Sequence, residues 1–426
     1  MKSFLLFRVG LLLVISLCFQ ECSDKWHVTK TYVYYKPVYS TSAEIKGAVS
    51  FAAPQQIKSP GRIYYKDNFL FINEIGQGIH VIDNHDRSSP VMKGFLKVPG
   101  SHDIVIVDNV LYTDSFVDLV VFDISNINSI KEINRIGGVF DNLQYYGFPM
   151  LDGKDLVLTS WQKVEDVHVY DSESDVLIQP WGGYQYADGI ALSSSMISGG
   201  GKSSGSAGIG GSTARFTVAN GNLYALDGAK LEIINLLVPK SPVSTGEINI
   251  NADAETLFPF KDKLFVGSRS GMFIYSISDP KAPTLISKYE HMRSCDPVVV
   301  DDTYAYVTLR SGNSCAGYTN QLEVINITNA SAPFMVKTYP MTNPFGLGID
   351  KDLLFICDGA DGLKIFDAKD KNTIDTHLLA QFPEITSIDV IPFQSVAMVI
   401  TSDGLYQYDY SDLKNIHLLS KLPISQ

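Results

Sequence analysis

Short apolar strands alternate with polar turns along most of the chain, and one apolar strand recurs about every 41 residues. Its last position is Asp, Asn or Ser in eight copies, at residues 83, 123, 171, 235, 276, 326, 367 and 409. A bulky residue precedes this position in every copy: Phe71, Tyr112, Val157, Tyr224, Phe265, Tyr306, Phe355 and Met398. Two markers that repeat in step indicate tandem structural units.

Each unit reads as four short strands separated by turns. Asp, Asn and Gly cluster between the first and second strands, as at residues 66–68 and 220–222, and a turn with proline follows the third strand, as at residues 278–283. This pattern of strands and turns predicts an all-β fold, a β-propeller of about eight four-stranded blades. Seven blades are the alternative, because the third copy, VHVYD at residues 167–171, departs from the pattern.

The run LVVFDIS at residues 119–125, with Asp-Pro or Ala-Pro turns after other copies, resembles the LVIVD repeat family. The segments GIHVIDN at 78–84 and CDPVVV at 295–300 are similar to those of exported LVIVD proteins of the Bacteroidetes type. The resemblance covers residues 58–426. It implies a cell-envelope propeller and supplies no catalytic residues.

The first 21 residues carry Lys2 and Arg8 ahead of an apolar run and are predicted to be a signal peptide, too short for a stable membrane span. Cys22 follows directly and resembles the lipid-anchored cysteine of bacterial lipoproteins, whereas Glu21 leaves free secretion as the alternative. Residues 22–57 are therefore interpreted as anchor and tether, or as a strand that completes a blade. Residues 58–426 form the propeller, with a Gly/Ser-rich insertion at 179–213.

The charge composition of the chain restricts the classes of partner that we expect it to bind. The chain has 34 basic and 46 acidic residues and a net charge of -12, which disfavours nucleic-acid binding. Length alone suggests two or three domains, but the repeat indicates one ring.

Three cysteines follow Cys22. Cys295 and Cys315 lie in one repeat unit and are predicted to form a disulfide, the alternative being two unpaired thiols. Cys357 is predicted to be a buried thiol in a second strand.

The candidate site comes from aligning the units. Nine residues before the second-strand marker, each inner strand begins at a position predicted to ring the mouth of the central channel: Arg62, Asp103, Phe148, Arg215, Thr256, Pro297, Gly346 and Asp389. With Asp296 one residue before Pro297, two arginines and three aspartates could converge there. Such a ring is interpreted as a structural network of salt bridges, as a site for a small polar ligand, or as catalytic carboxylates.

The first hypothesis for function is a binding or scaffolding propeller on the bacterial envelope, a monomer in contact with a protein or glycan partner, attached to the outer membrane or cell surface through Cys22. Periplasmic or secreted protein is the alternative location. The second hypothesis is a metal-dependent hydrolase or lyase with Asp103, Asp296 and Asp389 as ligands. Zinc, phosphate-loop and serine-hydrolase motifs are absent from the sequence, so no cofactor is expected, with calcium as a minor possibility.

Overall fold

The computed structural model describes residues 28–140, 156–170, 208–250, 254–290, 297–311 and 319–423. These ranges contain 32 strands, numbered β1 to β32 along the chain, the α-helix α1 (Ser42–Gly47) and a 3-10 turn at Ile374–Thr376. No helix within them is long and apolar enough to cross a membrane. The predicted signal peptide, Cys22, Cys295, Cys315 and Asp296 lie outside the described residues.

The chain divides into two compact units, residues 39–159 with 191–426 and residues 1–38 with 160–190. Among its described residues, the larger unit contains seven blades of four consecutive strands; six of these are four-stranded sheets, and in blade 1 the strands β12 and β2 extend the sheet to six. Blade 1 is β3 (Pro60–Lys66), β4 (Phe69–Glu74), β5 (Gly78–Asp83) and β6 (Val91–Lys97); blade 2 is β7 (Ile104–Val107), β8 (Val110–Ser115), β9 (Asp118–Asp123) and β10 (Lys131–Ile136). Blade 3 is β13 (Phe216–Ala219), β14 (Asn222–Asp227), β15 (Lys230–Asn235) and β16 (Val243–Asn249); blade 4 is β17 (Ala254–Phe260), β18 (Lys263–Ser268), β19 (Gly271–Ser276) and β20 (Thr284–Glu290).

The last three blades follow the same order. Blade 5 is β21 (Val298–Val300), β22 (Tyr304–Leu309), β23 (Gln321–Asn326) and β24 (Phe334–Pro340). Blade 6 is β25 (Leu347–Asp350), β26 (Leu353–Cys357), β27 (Leu363–Asp367) and β28 (Leu378–Phe382); blade 7 is β29 (Ser387–Phe393), β30 (Val396–Thr401), β31 (Gly404–Asp409) and β32 (His417–Pro423). The inner strands contact one another in the closed order β3, β7, β13, β17, β21, β25, β29 and back to β3. The protein is therefore a β-propeller of seven blades.

The third repeat copy is not a blade. Its residues belong to β11 (Leu156–Tyr170), which pairs with β1 (Val28–Thr41) in a two-stranded sheet. Val167 is 58% exposed, whereas Leu119 at the corresponding step of β9 is fully buried. The strand lacks the two buried faces that a blade strand requires, so the prediction of eight blades is wrong and the alternative of seven is confirmed.

The repeated residues have clear structural roles. Seven of the eight bulky markers, all except Val157, are at most 1% exposed in the second strand of a blade. The Asp or Asn that ends the third strand accepts a hydrogen bond from the backbone N–H two residues later, as from Ser125 to Asp123 (2.9 Å) and from Thr328 to Asn326 (3.0 Å). These side chains close the turn toward the fourth strand, which explains the Asp/Asn period in the sequence.

The ring closes between blades 7 and 1 without strand exchange. The side-chain amides of Asn84 and Gln407 donate to each other's oxygens at 2.9 and 2.8 Å, and Arg87 donates to the Gln394 side chain at 2.6 Å. The rings of Tyr65 and Phe393 lie 5.1 Å apart in the same junction. Side-chain packing and hydrogen bonding therefore join the first blade to the last.

Part of residues 28–57 belongs to a blade, in agreement with one of the two interpretations of this segment. The short strand β2 (Ser50–Ala52) pairs with β6 and extends the outer edge of blade 1. Capping box bonds between Thr41 and Glu44 begin α1, which precedes β2. The strand β2 of this segment is therefore part of the sheet of blade 1.

Candidate functional site

The sequence-predicted ring lies at the N-terminal ends of the inner strands. Arg62 and Asp389 are the third residues of β3 and β29, and Asp103 and Arg215 directly precede β7 and β13. Arg62, Asp103 and Asp389 are 7%, 2% and 1% exposed, and Arg215 is half-buried. The four residues thus lie at the same end of the inner strands, where the side chains of Arg62, Asp103 and Asp389 are closed off from solvent.

The channel is occupied by the protein's own chain. Residues 208–215, here called the plug, include the last six residues of the insertion and run antiparallel to β3 through the short strand β12 (Ile209–Gly210). Ser212 and Thr213 are 2% and 3% exposed. The plug bonds to the inner strands of blades 1, 2, 4, 6 and 7: Gly211 N to Ile63 O, Gly208 N to Ile106 O, Leu257 N to Ala214 O, Leu347 N to Ser212 Oγ, and Ser212 N to Asp389 Oδ1.

Asp103 holds the end of the plug. Its Oδ2 accepts from the backbone N–H groups of Arg215 and Phe216 at 2.5 and 2.9 Å, and its Oδ1 accepts from Ile104 N at 2.7 Å. Arg62 Nε lies 3.4 Å from Oδ2 and also donates to a plug carbonyl. Burial raises the pKa of Asp103, and Arg62 opposes that shift. The carboxylate is thereby committed to positioning the plug.

Asp389 binds the middle of the plug. Its Oδ1 accepts from Ser212 N and Ser212 Oγ, both at 3.1 Å, and from Val390 N at 3.0 Å, while Oδ2 accepts from Thr213 Oγ1 at 2.9 Å. A Cβ on Gly346 would lie 2.3 Å from Oδ1, so glycine is required at this step of the aligned ring. Both described channel aspartates therefore act as acceptors for internal donors.

This geometry favours the structural interpretation of the ring. Within the described ranges, no group of three or more His, Cys, Asp or Glu side chains is arranged to hold a metal ion. Sequence reasoning missed the plug because it assigned residues 179–213 to an excursion away from the ring. A small, uncharged run before an inner strand, Gly-Ser-Thr-Ala at 211–214, is the only signal that could have indicated a segment narrow enough to pass the channel.

A second feature lies on the opposite face, where the third strands end and the fourth begin. Nine apolar side chains there are between 41% and 80% exposed: Val91, Leu237, Val238, Val243, Leu285, Phe334, Leu378, Leu413 and Leu418. We call this set the apolar rim. Exposed apolar side chains on one face offer surface that a partner can bury, whereas single ones scattered over a surface are ordinary.

A pocket of about 250 Å³ opens between blades 2 and 3. Its blade 2 wall is residues 136–139, and its blade 3 wall includes Glu232, Ser244, Gly246 and Glu247. Glu232 is only 5% exposed and lies directly opposite Glu247 in the register of β15 and β16. Alignment of the repeat units gave no indication of this pocket, because strand pairing brings Glu232 and Glu247 together and the packing of blade 2 supplies the other wall.

Solved structures share the propeller fold. A computationally designed protein, Ika8, is 8% identical over 87% of this chain and 89% of its own, with a TM-score of 0.52. A protein from Lactobacillus plantarum is 10% identical over 85% of this chain and 96% of its own, with a TM-score of 0.53. At these identities the similarity shows the fold alone. No protein-family model and no curated protein matches the chain, so membership of the LVIVD family stays a prediction.

Proposed function

We propose that this chain is an exported LVIVD-type propeller that binds a partner through its apolar rim. The observation that carries the proposal is the plug. Asp103 and Asp389 are bonded to plug residues inside the channel, so the usual ligand position of a propeller is filled by the chain itself. A metal-dependent hydrolase or lyase would require these two carboxylates to release the plug.

The chemistry of the rim supports a protein partner more than a glycan. Eight of its nine side chains are aliphatic, and Phe334 is the aromatic member. Sugars are usually bound by the faces of aromatic rings, whereas aliphatic side chains gain most by packing against other apolar side chains.

Site-specific photocrosslinking tests the rim. Benzoylphenylalanine replaces Leu237 or Phe334 in the expressing bacterium, and Glu384, which is exposed on the opposite face, serves as the matched control. We expect a protein adduct of one defined mass from the rim positions and none from Glu384. Equal labelling at all three positions, or adducts only at Glu384, would refute the rim as the binding surface.

We further propose that the mature protein is a monomer held at the outer membrane by a lipid on Cys22. A Cys22→Ala variant should move from the membrane fraction to the soluble periplasmic or secreted fraction and lose its lipid-derived mass. Retention of both properties in the variant would rule out this anchor. Light scattering of the released protein measures the oligomeric state.

A further inference from the structure

A second pocket, here called the rim pocket, opens between blades 1 and 2 on the face that carries the apolar rim. It has a volume of about 360 Å³ and is lined by residues of the first turn of each blade and by residues 124–127, which follow β9. Among the nine rim side chains, each of the other six blades supplies at least one and blade 2 supplies none. At blade 2 this face therefore offers a cavity in place of a protruding apolar side chain.

The rim pocket lies where a hydrogen bond of the next two blade boundaries has no counterpart. At those boundaries the marker Tyr of one blade donates to a proline carbonyl in the loop of the following blade, as from Tyr112 Oη to Pro239 O at 2.7 Å. Blade 1 has Phe71 at the marker position, which carries no hydroxyl, and Ile127 stands where the following blades have proline. The loop of blade 2 is therefore not held against the second strand of blade 1 by this bond.

A substitute for this bond is also missing from blade 1. Between blades 4 and 5, where the marker is again Phe, Ser287 Oγ in the fourth strand donates to Ala330 O at 2.6 Å. Gly94 occupies the equivalent register position of β6 and has no side chain to donate. A Cβ on Gly94 would collide with the ring of Phe51, so glycine is required where β2 covers blade 1. The cavity is thus a consequence of residues particular to this boundary.

The walls of the rim pocket are suited to an aromatic side chain. Phe69, Phe71, Ile124 and Ile127 provide its apolar lining. A volume of about 360 Å³ lies within the range of pockets that bury a ligand. Aromatic rings pack well against the edges and faces of other rings, and they are common anchors in the pockets of protein interfaces.

The charges at the rim pocket favour a basic group beside that anchor. Its lining contains two acids, Asp67 and Asp108, both exposed, and one base, Lys66. The Lys66 side chain is 5% exposed and pairs with Asp67. With one base for two acids, the pocket has a net negative charge, and the net charge of the whole chain is -12. A cationic neighbour of the anchor would be attracted to this mouth, and an anionic one repelled.

We propose that the rim pocket receives an aromatic side chain of the protein partner, and that this side chain is adjacent to a Lys or Arg of the partner. The inference rests on the proposed function, since it names the anchor by which the partner of the apolar rim is held. Phe69 and Phe71 contact the ring of the anchor, and Asp108 faces its basic neighbour.

The test uses a dipeptide probe, N-acetyl-Phe-Arg-amide, and saturation-transfer difference NMR with the full-length protein. We expect saturation of the ring protons of the probe. N-acetyl-Ala-Arg-amide, which has no ring, should show little saturation. N-acetyl-Phe-Glu-amide should bind about fivefold more weakly than the Arg probe, the effect of one exposed charge pair. Absence of ring saturation by the folded protein would overturn the proposal, and equal Kd values for the Arg and Glu probes would refute the basic neighbour.

Ser125→Trp tests whether the probe binds in this pocket. Ser125 is exposed and lines the pocket, so a Trp at this position should fill it and weaken binding of the Arg probe about tenfold or more. Thr328→Trp is the matched control, because Thr328 is exposed at the same turn position in blade 5 and should leave the Kd unchanged. An unchanged Kd in Ser125→Trp, or an equal loss in both variants, would overturn the assignment of the site.

Two further measurements keep the test decisive. Circular dichroism checks that each variant is folded, and Phe71→Tyr provides a second variant that resembles the next two boundaries, with a hydroxyl placed to bond the blade 2 loop and reduce probe binding. Photocrosslinking at Leu237 and Phe334 separates this proposal from the proposed function. Rim adducts without ring saturation would support the rim and overturn the pocket, whereas ring saturation without rim adducts would support the pocket and refute the rim.

Discussion

The channel and the pocket between blades 2 and 3 both contain buried carboxylates, but their surroundings are opposite. Asp103 and Asp389 accept backbone and hydroxyl donors on both oxygens, largely from the plug. The carboxyl of Glu232 is in hydrogen-bond contact with the carboxyl of Glu247, and burial raises its pKa to about 7. The channel acids therefore stabilise the fold by accepting hydrogen bonds, whereas Glu232 destabilises the fold when it is ionised.

The largest effect is expected from removing a channel acid. Asp103→Ala removes the carboxylate beside Arg62 and the acceptor of the Arg215 and Phe216 N–H groups, at the end of the plug. We expect a loss of about 3–5 kcal/mol in the free energy of unfolding, measured by urea titration. Asp302→Ala, which removes a solvent-exposed ion pair with Lys261, is the control and should cost less than about 1 kcal/mol. Similar losses of stability in both variants would contradict the expected difference between a buried channel acid and an exposed ion pair.

The pH dependence of stability should reveal Glu232. Its pKa in the folded protein, about 7, lies above the ordinary value of 4.5 that applies to the unfolded chain. The folded state therefore binds the proton more tightly, and this contribution is complete below about pH 4.5 and lost as pH rises through 7. Urea titrations in EDTA should show a decrease of about 2–3 kcal/mol between pH 5 and pH 8 in the wild type relative to Glu232→Gln. Parallel pH profiles for the two proteins would contradict this assignment.

The amide pair of Asn84 and Gln407 at the ring closure is buried but uncharged, so its removal is expected to have an intermediate effect. Gln407→Ala removes the paired amide contacts with Asn84 and a hydrogen bond to the Arg87 carbonyl, in a buried junction. We expect a destabilisation of about 1–3 kcal/mol that does not depend on pH. Asn329→Ala, which alters an exposed turn in blade 5, should change the urea midpoint much less. A pH-dependent loss in Gln407→Ala would show that charge also acts at the closure.

The smallest effect is expected at an exposed acid on the same blade boundary as Glu232. Asp123 in blade 2 pairs with Lys240 in blade 3 at 2.5 Å, and hydrogen bonds from Lys240 and Ser125 lower the pKa of Asp123. Lys240 is 60% exposed, so water and salt screen the pair. Lys240→Ala should cost at most about 1 kcal/mol, and the difference should vanish in 1 M NaCl. A larger loss of stability that does not depend on salt would show that Asp123 stabilises the fold as strongly as the channel acids do.

Much of the fold was predictable because its determinants are local. The markers Tyr112, Tyr224 and Tyr306 lie in second strands and Cys357 is a fully buried thiol, both as predicted. Arg62, Asp103, Arg215 and Asp389 lie at one end of the inner strands, and their role as a site stays a prediction. The blade count was less certain, because a short apolar strand such as residues 167–171 has the blade pattern without the neighbouring strands.

The repeating strands and the turns are predictable from the sequence, because each depends on residues close in the chain. The role of Asp103 and Asp389 follows from the fold, since donors of the plug such as Arg215 N and Ser212 N lie more than one hundred positions away in the chain. The environment of Glu232 follows from strand pairing, which brings Glu247 opposite it. Whether a buried charge is satisfied depends on which distant groups reach it, and periodicity carries no information about them.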